Sequence, residues 1–348
     1  MKRLEAVLIP AGAIVVGLLL FGLFCAVLGV NPLGVYASIY KAAFGSLYSW
    51  QNTLTRAAPL LLCALCTALP ARAGVIVIGN EGAVVVGGLG AIAVGLPALA
   101  LSPWLALLLM ALAGMLCGGL WIAMSVALQY YRGVSSVIGG LLLNYLAIAL
   151  MNQLIEGPLR DPASLNNPAS YPLTPDHRLP YFAGTHLHYG LVFGIVACLL
   201  AWFLLERTTP GFAVRVSGGN VRAARLVGLP VGGLLISAAL LGGACAGLAG
   251  MVEVAAVHGR ANGSLNAGYG YVGILVAFLS RQNPIAIIAV SVLVGGLLAS
   301  GGMLQRAQDL PDASITVLQG ILFLVILLSE TVYGRLKLPW TGAHASAA

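Results

Sequence analysis

The chain has 348 residues, 60% of them hydrophobic and only 8% charged, with a formal net charge of +7. A soluble globular domain is nearer half apolar and a quarter charged, so this chain cannot cover itself with polar surface in water. The composition excludes a soluble protein and defines an all-α, polytopic membrane protein.

The first residues, "MKRLEAVLIP", lead into an apolar run from Val7 to Val30. That run is too long for the core of a signal peptide and long enough to span a bilayer. No small-residue cleavage site follows it, and Phe24 before Cys25 argues against a lipoprotein signal. It reads as a retained first helix with its basic end in the cytoplasm. Residues 31–53 are half-polar and aromatic and suit the outer interface. Further spans are predicted over Leu54 to Leu69, Ala83 to Gly95, Trp104 to Gln129, Val134 to Ile155 and Tyr189 to Leu205. Four more follow over Val231 to Val257, Tyr269 to Ser280, Ile285 to Ser300 and Ile315 to Tyr333. The total is about ten, counted by length and breakers.

Ten spans with a cytoplasmic start return the C-terminus to the cytoplasm, and the basic residues agree. Lys2, Arg3, Arg72, Arg132, Arg207, Arg215, Arg222, Arg225, Arg281, Arg335 and Lys337 fall inside, against Lys41, Arg56, Arg160, Arg178, Arg260 and Arg306 outside. This bias is the positive-inside rule at work. The net charge therefore reports topology and calls for no nucleic-acid partner. The chain is read as one transmembrane domain over residues 1–348, with membrane lipid as its surroundings. The six cysteines all lie in or beside apolar spans, and the C-x-x-C of Cys63 and Cys66 has no second pair, so packing explains them.

Two loops carry information. Residues 156–188, with "EGPLRDPASLNNPASYPLTPDHRLPYF", are rich in Pro and Asn and form an outer loop. Residues 206–230, "ERTTPGFAVRVSGGNVRAARLVGLP", form a cytoplasmic one. Here "GGN" breaks the chain, Asn220 is placed to cap the short run "VRAARLV", and Gly228 and Pro230 stop it. Arg222 and Arg225 then share one helix face, for lipid headgroups or for a docking partner.

Spans two to five and seven to ten form two four-helix sets offset by five, hence of opposite orientation. Each set has a short, glycine-broken second member: "IGNEGAVVVGGLGAIAVGLP" and "NAGYGYVGILVAFLS". Matching short segments in two inverted halves are the best sequence pointer to a transport site. Gly79 and Gly82 allow the helix to break, the reading adopted here, or another backbone to approach, and freed amides at a half-helix N-terminus can hold Glu81 or a polar ligand. An intramembrane acid is a functional candidate, so Glu81 either touches substrate or caps the broken helix. The same question attaches to Glu253 and to His258 in "AGLAGMVEVAAVHGR", whose Gly243, Gly247 and Gly250 suit close helix packing. Asn144 is a polar residue in an apolar span, for a helix-to-helix hydrogen bond or for substrate. Tyr269 and Tyr271 are placed to stack on an aromatic ligand or to sit at an interface.

The chain carries no P-loop, no His/Cys/Asp cluster with metal spacing, and no nucleophile elbow. An enzyme reading, a metal site and a bound cofactor therefore have nothing to rest on. Transport driven by a separate ATPase or by an ion gradient remains, beside a non-transporting scaffold.

The motifs "VIGNEGAVVVGG", "LLLNYLA", "GFAVRVSGGNVRAARLVGLP", "GLAGMVEVAAVHGR", "GYGYVGILVAFL" and "LQGILFLVIL" occur in one order. That ordered set resembles permease subunits of bacterial ABC importers, in the family serving branched-chain amino acids, ribose and related sugars. It is most similar to the nucleoside branch, over about residues 52–330. The resemblance implies a second permease, most simply in a heterodimer, an ATP-binding cassette subunit that uses ATP and Mg, a substrate-binding lipoprotein, and the bacterial inner membrane. It assigns ATPase docking to residues 211–228, with Arg215, Asn220, Arg222 and Arg225. The family's Asn-Ile-Gly-x-Glu-Gly-Gln pattern maps onto Val77 to Ala83. Gly79, Glu81 and Gly82 match, Val77 and Ala83 depart, and Asn80 adds an amide at the variable position. The expected function is alternating-access import of nucleosides or related small heterocycles, with a path lined by Asn80, Glu81, Asn144, Glu253, His258, Tyr269 and Tyr271. The alternative is a proton-coupled transporter using Glu81 and Glu253.

Overall fold

The computed structural model describes residues 2–164, 167–311 and 313–332. Tyr333, Arg335 and Lys337, used above for the last span and for topology, lie outside the described residues. Among the described residues the regular structure is helical, with isolated β-bridges but no strand. In chain order the helices are α1 (Lys2–Val27), α2 (Pro32–Phe44), α3 (Leu47–Arg72), α4 (Asn80–Gly95), α5 (Pro103–Arg132), α6 (Ser136–Glu156) and α7 (Gly190–Arg207). They continue with α8 (Thr209–Gly219), α9 (Val221–Leu226), α10 (Val231–Val252), α11 (Tyr269–Leu279), α12 (Pro284–Gln308) and α13 (Ala313–Val332).

Seven helical segments are long and apolar enough to cross a membrane: α3, Asn80–Ala100, α5, α6, α7, Val231–His258 and α12. The pair Gly12–Val27 and Pro32–Phe44, bent by 119°, makes an eighth candidate. Residues 263–279 and 313–329 are shorter apolar helices. Two boundaries differ from the sequence reading in a way that matters. Helix α3 starts at Leu47, not Leu54, because Ser46 caps it by accepting the Ser49 N–H at 3.1 Å. Helix α4 starts at Asn80, not Ala83, which brings Glu81 into its first turn.

The chain divides into two compact units. One comprises the described residues within 1–40 and from 300 to 332. Within it the Tyr36 hydroxyl donates to the Leu18 carbonyl, Gln308 Nε2 donates to Ser38 Oγ at 3.2 Å, and Gly17 leaves room for Leu322.

The other unit, residues 41–299, contains every candidate site residue. Its centre is α10, which packs on α3, α4 and α5. A Cβ on Gly247 would meet the Gly118 Cα at 3.1 Å and come closer still to the Gly114 carbonyl. The two backbones can approach only because these residues lack side chains, which is how α-helices associate where water supplies no hydrophobic drive. Leu60, Leu61, Leu62 and Leu65 of α3 are buried in the same core.

At one end of α10 the helix widens into a π-helical segment, Glu253–His258. The loop between α6 and α7 is fastened to it. Leu179 N–H donates to the Ala255 carbonyl at 3.0 Å and the Tyr181 hydroxyl donates to the Ala256 carbonyl at 2.5 Å. Leu173 N–H and Ser170 N–H reach the Gly259 and Ala261 carbonyls, both at 2.8 Å. In the same loop His188 is fully buried, edge-on to the Tyr181 ring at 6.2 Å. Its Nδ1 accepts the Gly190 N–H at 3.1 Å, so it caps the first turn of α7. Burial lowers the imidazole to about 4, against an opposing contribution from the Thr55 backbone.

Residues 206–230 hold α8 and α9. The sequence reading broke the chain at "GGN"; the structure carries α8 through Gly218 and Gly219 and turns at Asn220, whose Oδ1 accepts the Arg222 and Ala223 N–H groups at 3.0 Å. Arg215 pairs with Glu206, and Arg72 at the end of α3 lies 3.9 Å from the same carboxylate.

Candidate functional site

The stretch "VIVIG", from Val75 to Gly79, has no regular secondary structure, and α4 begins only after it. The break therefore lies at Gly79, the N-cap. Gly82 does not break the helix: it is the third residue of α4. Its missing side chain serves close approach, since a Cβ there would meet Asn144 Oδ1 at 2.8 Å and Trp121 Nε1 at 3.0 Å. A buried helix start leaves N–H groups that water does not satisfy. Asn144, from α6, supplies the acceptor: its Oδ1 takes the Gly82 N–H at 2.7 Å, while its Nδ2 donates to the Ile78 carbonyl at 3.0 Å. The neighbouring Asn80 ties the same turn to α3, donating to Thr67 Oγ1 at 2.7 Å and the Cys63 carbonyl at 3.2 Å.

A second start, that of α11, is capped from a distance in sequence. Gly268 precedes the helix with φ +83°. Glu81 Oε1 accepts the Gly268 N–H at 2.7 Å, and Oε2 accepts the Gly270 N–H at 2.6 Å. The carboxylate is fully buried, and among the described residues no cationic side chain pairs with it. Two helix N-termini compensate instead. Glu81 sits in the first turn of α4 and on the first turn of α11, where the partial positive charge of both helices favours an anion. That is why an ionisable group stands in an apolar run.

The two caps are joined. Asn144 Nδ2 also donates to the Tyr271 hydroxyl of α11 at 3.2 Å. A closed circuit thus runs from Asn144 to the α4 N-terminus, through Glu81 to the α11 N-terminus, and back through Tyr271.

A second group adjoins the first. Glu253, at the first position of the π-helical segment, is buried, with His258 Nε2 3.5 Å from its carboxylate. Arg56 of α3 lies near enough to Glu253 and Tyr269 to act on both electrostatically, and its Nε is buried without a hydrogen-bond partner. Sequence reasoning missed Arg56 by assigning it to outer-side charge. The signal was there, because the residue falls inside the apolar run Leu54 to Leu69. Thr67 and Trp121 were also missed, and no local pattern marks them.

The structure brings Glu81, Asn144 and Tyr271 into one circuit, places Asn80 beside it with its side chain bonded to α3, and puts Glu253, His258 and Tyr269 into the adjoining group. Arg215, Asn220, Arg222 and Arg225 stand apart on α8 and α9, with Arg222 and Arg225 exposed. Among the described residues no group of His, Cys, Asp and Glu is arranged to hold a metal ion.

A polytopic helical protein whose buried polar centre is made of two helix starts has the architecture of a transport permease. The chain belongs to the family described as "Branched-chain amino acid transport system / permease component", which it matches over residues 49–327. It is an ABC transporter permease of the cytoplasmic membrane. It is 30% identical to the glucose ABC transporter permease protein TsgB13 of Haloferax volcanii, over 92% of this chain and 87% of that one. It is 29% identical to the guanosine ABC transporter permease protein NupP of Bacillus subtilis, over 97% and 98%. A third relative, the nucleoside ABC transporter permease protein NupB of Lactococcus lactis, is 26% identical over 93% and 92%.

Proposed function

We propose that the chain is the permease subunit of an ATP-driven importer of nucleosides or related small heterocycles. The observation that carries this reading is the circuit of Asn144, Glu81 and Tyr271 across two half-helices. It creates a polar, membrane-embedded centre of the kind an alternating-access path needs. The guanosine and nucleoside names of two relatives support the substrate class, and the glucose name of another keeps a sugar within the test.

In this reading the eight candidate spans and the two shorter apolar helices make ten crossings, with both termini in the cytoplasm and spans two to five inverted against seven to ten. The domain works with a second permease, an ATP-binding cassette subunit that binds ATP and Mg, and a substrate-binding lipoprotein. Residues 156–188 receive substrate on the outer side. Arg215, Asn220, Arg222 and Arg225 form the docking segment for the ATPase. ATP binding and hydrolysis there rock the helices about a cavity lined from the circuit and from Glu253, His258 and Tyr269. Glu81, with both oxygens engaged by amides, holds the two half-helices and leaves recognition to its neighbours.

The test is uptake of labelled guanosine, uridine, adenine and ribose into vesicles containing this chain with its neighbouring permease, ATPase and binding protein. Nucleoside uptake abolished by a disabled ATPase is the expected result. Uptake that survives ATPase loss but collapses with an uncoupler would replace the reading with a proton-coupled one.

A further inference from the structure

Helix α6 has 21 residues, a length of about 31 Å at 1.5 Å per residue, which matches the roughly 30 Å hydrocarbon core. Tyr145 is its tenth residue, about 14 Å from the start and so near mid-depth. Its side chain is 72% exposed. Tyrosines belong at the two membrane interfaces, where the ring is in hydrocarbon and the hydroxyl in the headgroups. At mid-depth a hydroxyl turned to lipid has no partner, and a polar group inside the membrane faces protein or water by preference.

Tyr145 does not stand alone. It follows Asn144 directly in α6, and Asn144 Nδ2 holds the hydroxyl of Tyr271, a residue 44% exposed, at 3.2 Å. Asn144 itself points inward, to the α4 backbone. One side of this short stretch of α6 therefore fixes the circuit, and the next residue presents an aromatic face beyond it.

We propose that Tyr145, with Tyr271, forms the aromatic wall of the translocation path and receives the planar ring of the transported heterocycle. The inference rests on the import reading above and adds a substrate-contacting residue to it. Stacking suits a path, because every heterocyclic base has a π-face and the contact is indifferent to which base passes.

The experiment uses the complete complex in vesicles. Tyr145→Cys is treated with a hydrophilic thiol reagent, with the unaltered chain as background, and labelling is repeated with guanosine and the binding protein present. In parallel, ATP-dependent guanosine uptake is measured for Tyr145→Phe and Tyr145→Leu. Labelling slowed by guanosine is expected. Tyr145→Phe should stay within about 2-fold of the unaltered complex while Tyr145→Leu falls by about 10-fold, the scale of one lost ring-stacking contact. Absence of labelling overturns the inference: the residue then faces lipid, or, if Tyr145→Leu also fails to co-purify with the second permease, it faces that subunit. Labelling that guanosine leaves unchanged, or a Leu variant that transports normally, overturns it as well. An unaltered complex that carries no nucleoside removes the import reading and this inference together, and is thereby told apart from the other outcomes.

Discussion

Helices α4 and α11 both start at buried positions among other helices, and their first turns are satisfied by different chemistry. The α4 start uses an amide, Asn144, which accepts one N–H and donates to a carbonyl and a phenol. The α11 start uses a carboxylate, Glu81, which only accepts and takes two N–H groups. The amide can sit at a crossing of three elements because it offers both donors and acceptors. The carboxylate gives stronger bonds, and it suits this place because two helix dipoles converge on it. A third start, that of α7, is met by an imidazole that precedes the span, His188.

The contrast is broken most directly at Glu81. Glu81→Gln keeps one acceptor but turns an NH2 toward an N–H that has lost its partner. A loss of about 2–4 kcal/mol is expected, from two charge-assisted bonds and one stranded donor. Thermal unfolding of the solubilised chain should show it, and an unchanged midpoint would mean that the carboxylate is not the cap.

His188 adds a dependence on pH. Its pKa is held at about 4, below the ordinary 6.5, so the unfolded chain binds the extra proton between those values. The stabilisation is full above pH 6.5 and disappears as pH falls toward 4, by an amount on the order of 3 kcal/mol. Unfolding midpoints from pH 7.5 to 4.5 should fall for the unaltered chain. His188→Gln should flatten that slope, and a slope that it leaves unchanged would assign the acid sensitivity elsewhere.

Asn144→Ala strands the Gly82 N–H and the Ile78 carbonyl and should cost about 1–3 kcal/mol. Paired with Glu81→Gln in a double-mutant cycle, it should show a coupling of about 0.5–3 kcal/mol if the circuit acts as a unit. Additivity would split it into two independent caps. Gly82→Ala sharpens the same point from the steric side. Its Cβ crowds Asn144 Oδ1 and Trp121, so a loss of about 1–2 kcal/mol is expected in the same assay. The smallest effect belongs to Arg215→Ala, whose partner Glu206 is partly exposed, with a stability change within about 0.5 kcal/mol. A large loss of stability there would make α8 a structural element ahead of a docking one.

Much of this centre was legible in the sequence. Glu81, Asn144 and Tyr271 each stood out as a polar residue in an apolar run, and the two glycine-rich segments are where α4 and α11 begin. Their mutual contacts were not legible, because Glu81 meets donors 187 and 189 residues downstream and no local pattern records such a pairing. Gly82 was read as a break because glycine within an apolar run has two uses, freedom of the backbone and absence of a side chain, and only packing tells them apart. The start of α3 was placed seven residues late, since its first turns are polar and aromatic. The π-helical segment at Glu253 has no signal in hydropathy at all, as the extra residue per turn leaves the apolar run unbroken.

The separation between Glu81 and its donors also has a meaning in time. At the usual 5–20 residues per second of synthesis, roughly 10–40 s pass between the appearance of the acid and that of the glycines that satisfy it. Throughout that interval the nascent chain holds an unmatched carboxylate in or near the bilayer. A chain cut short before Gly268 lacks both donors, so its Glu81 never gains the partners it has in the complete fold.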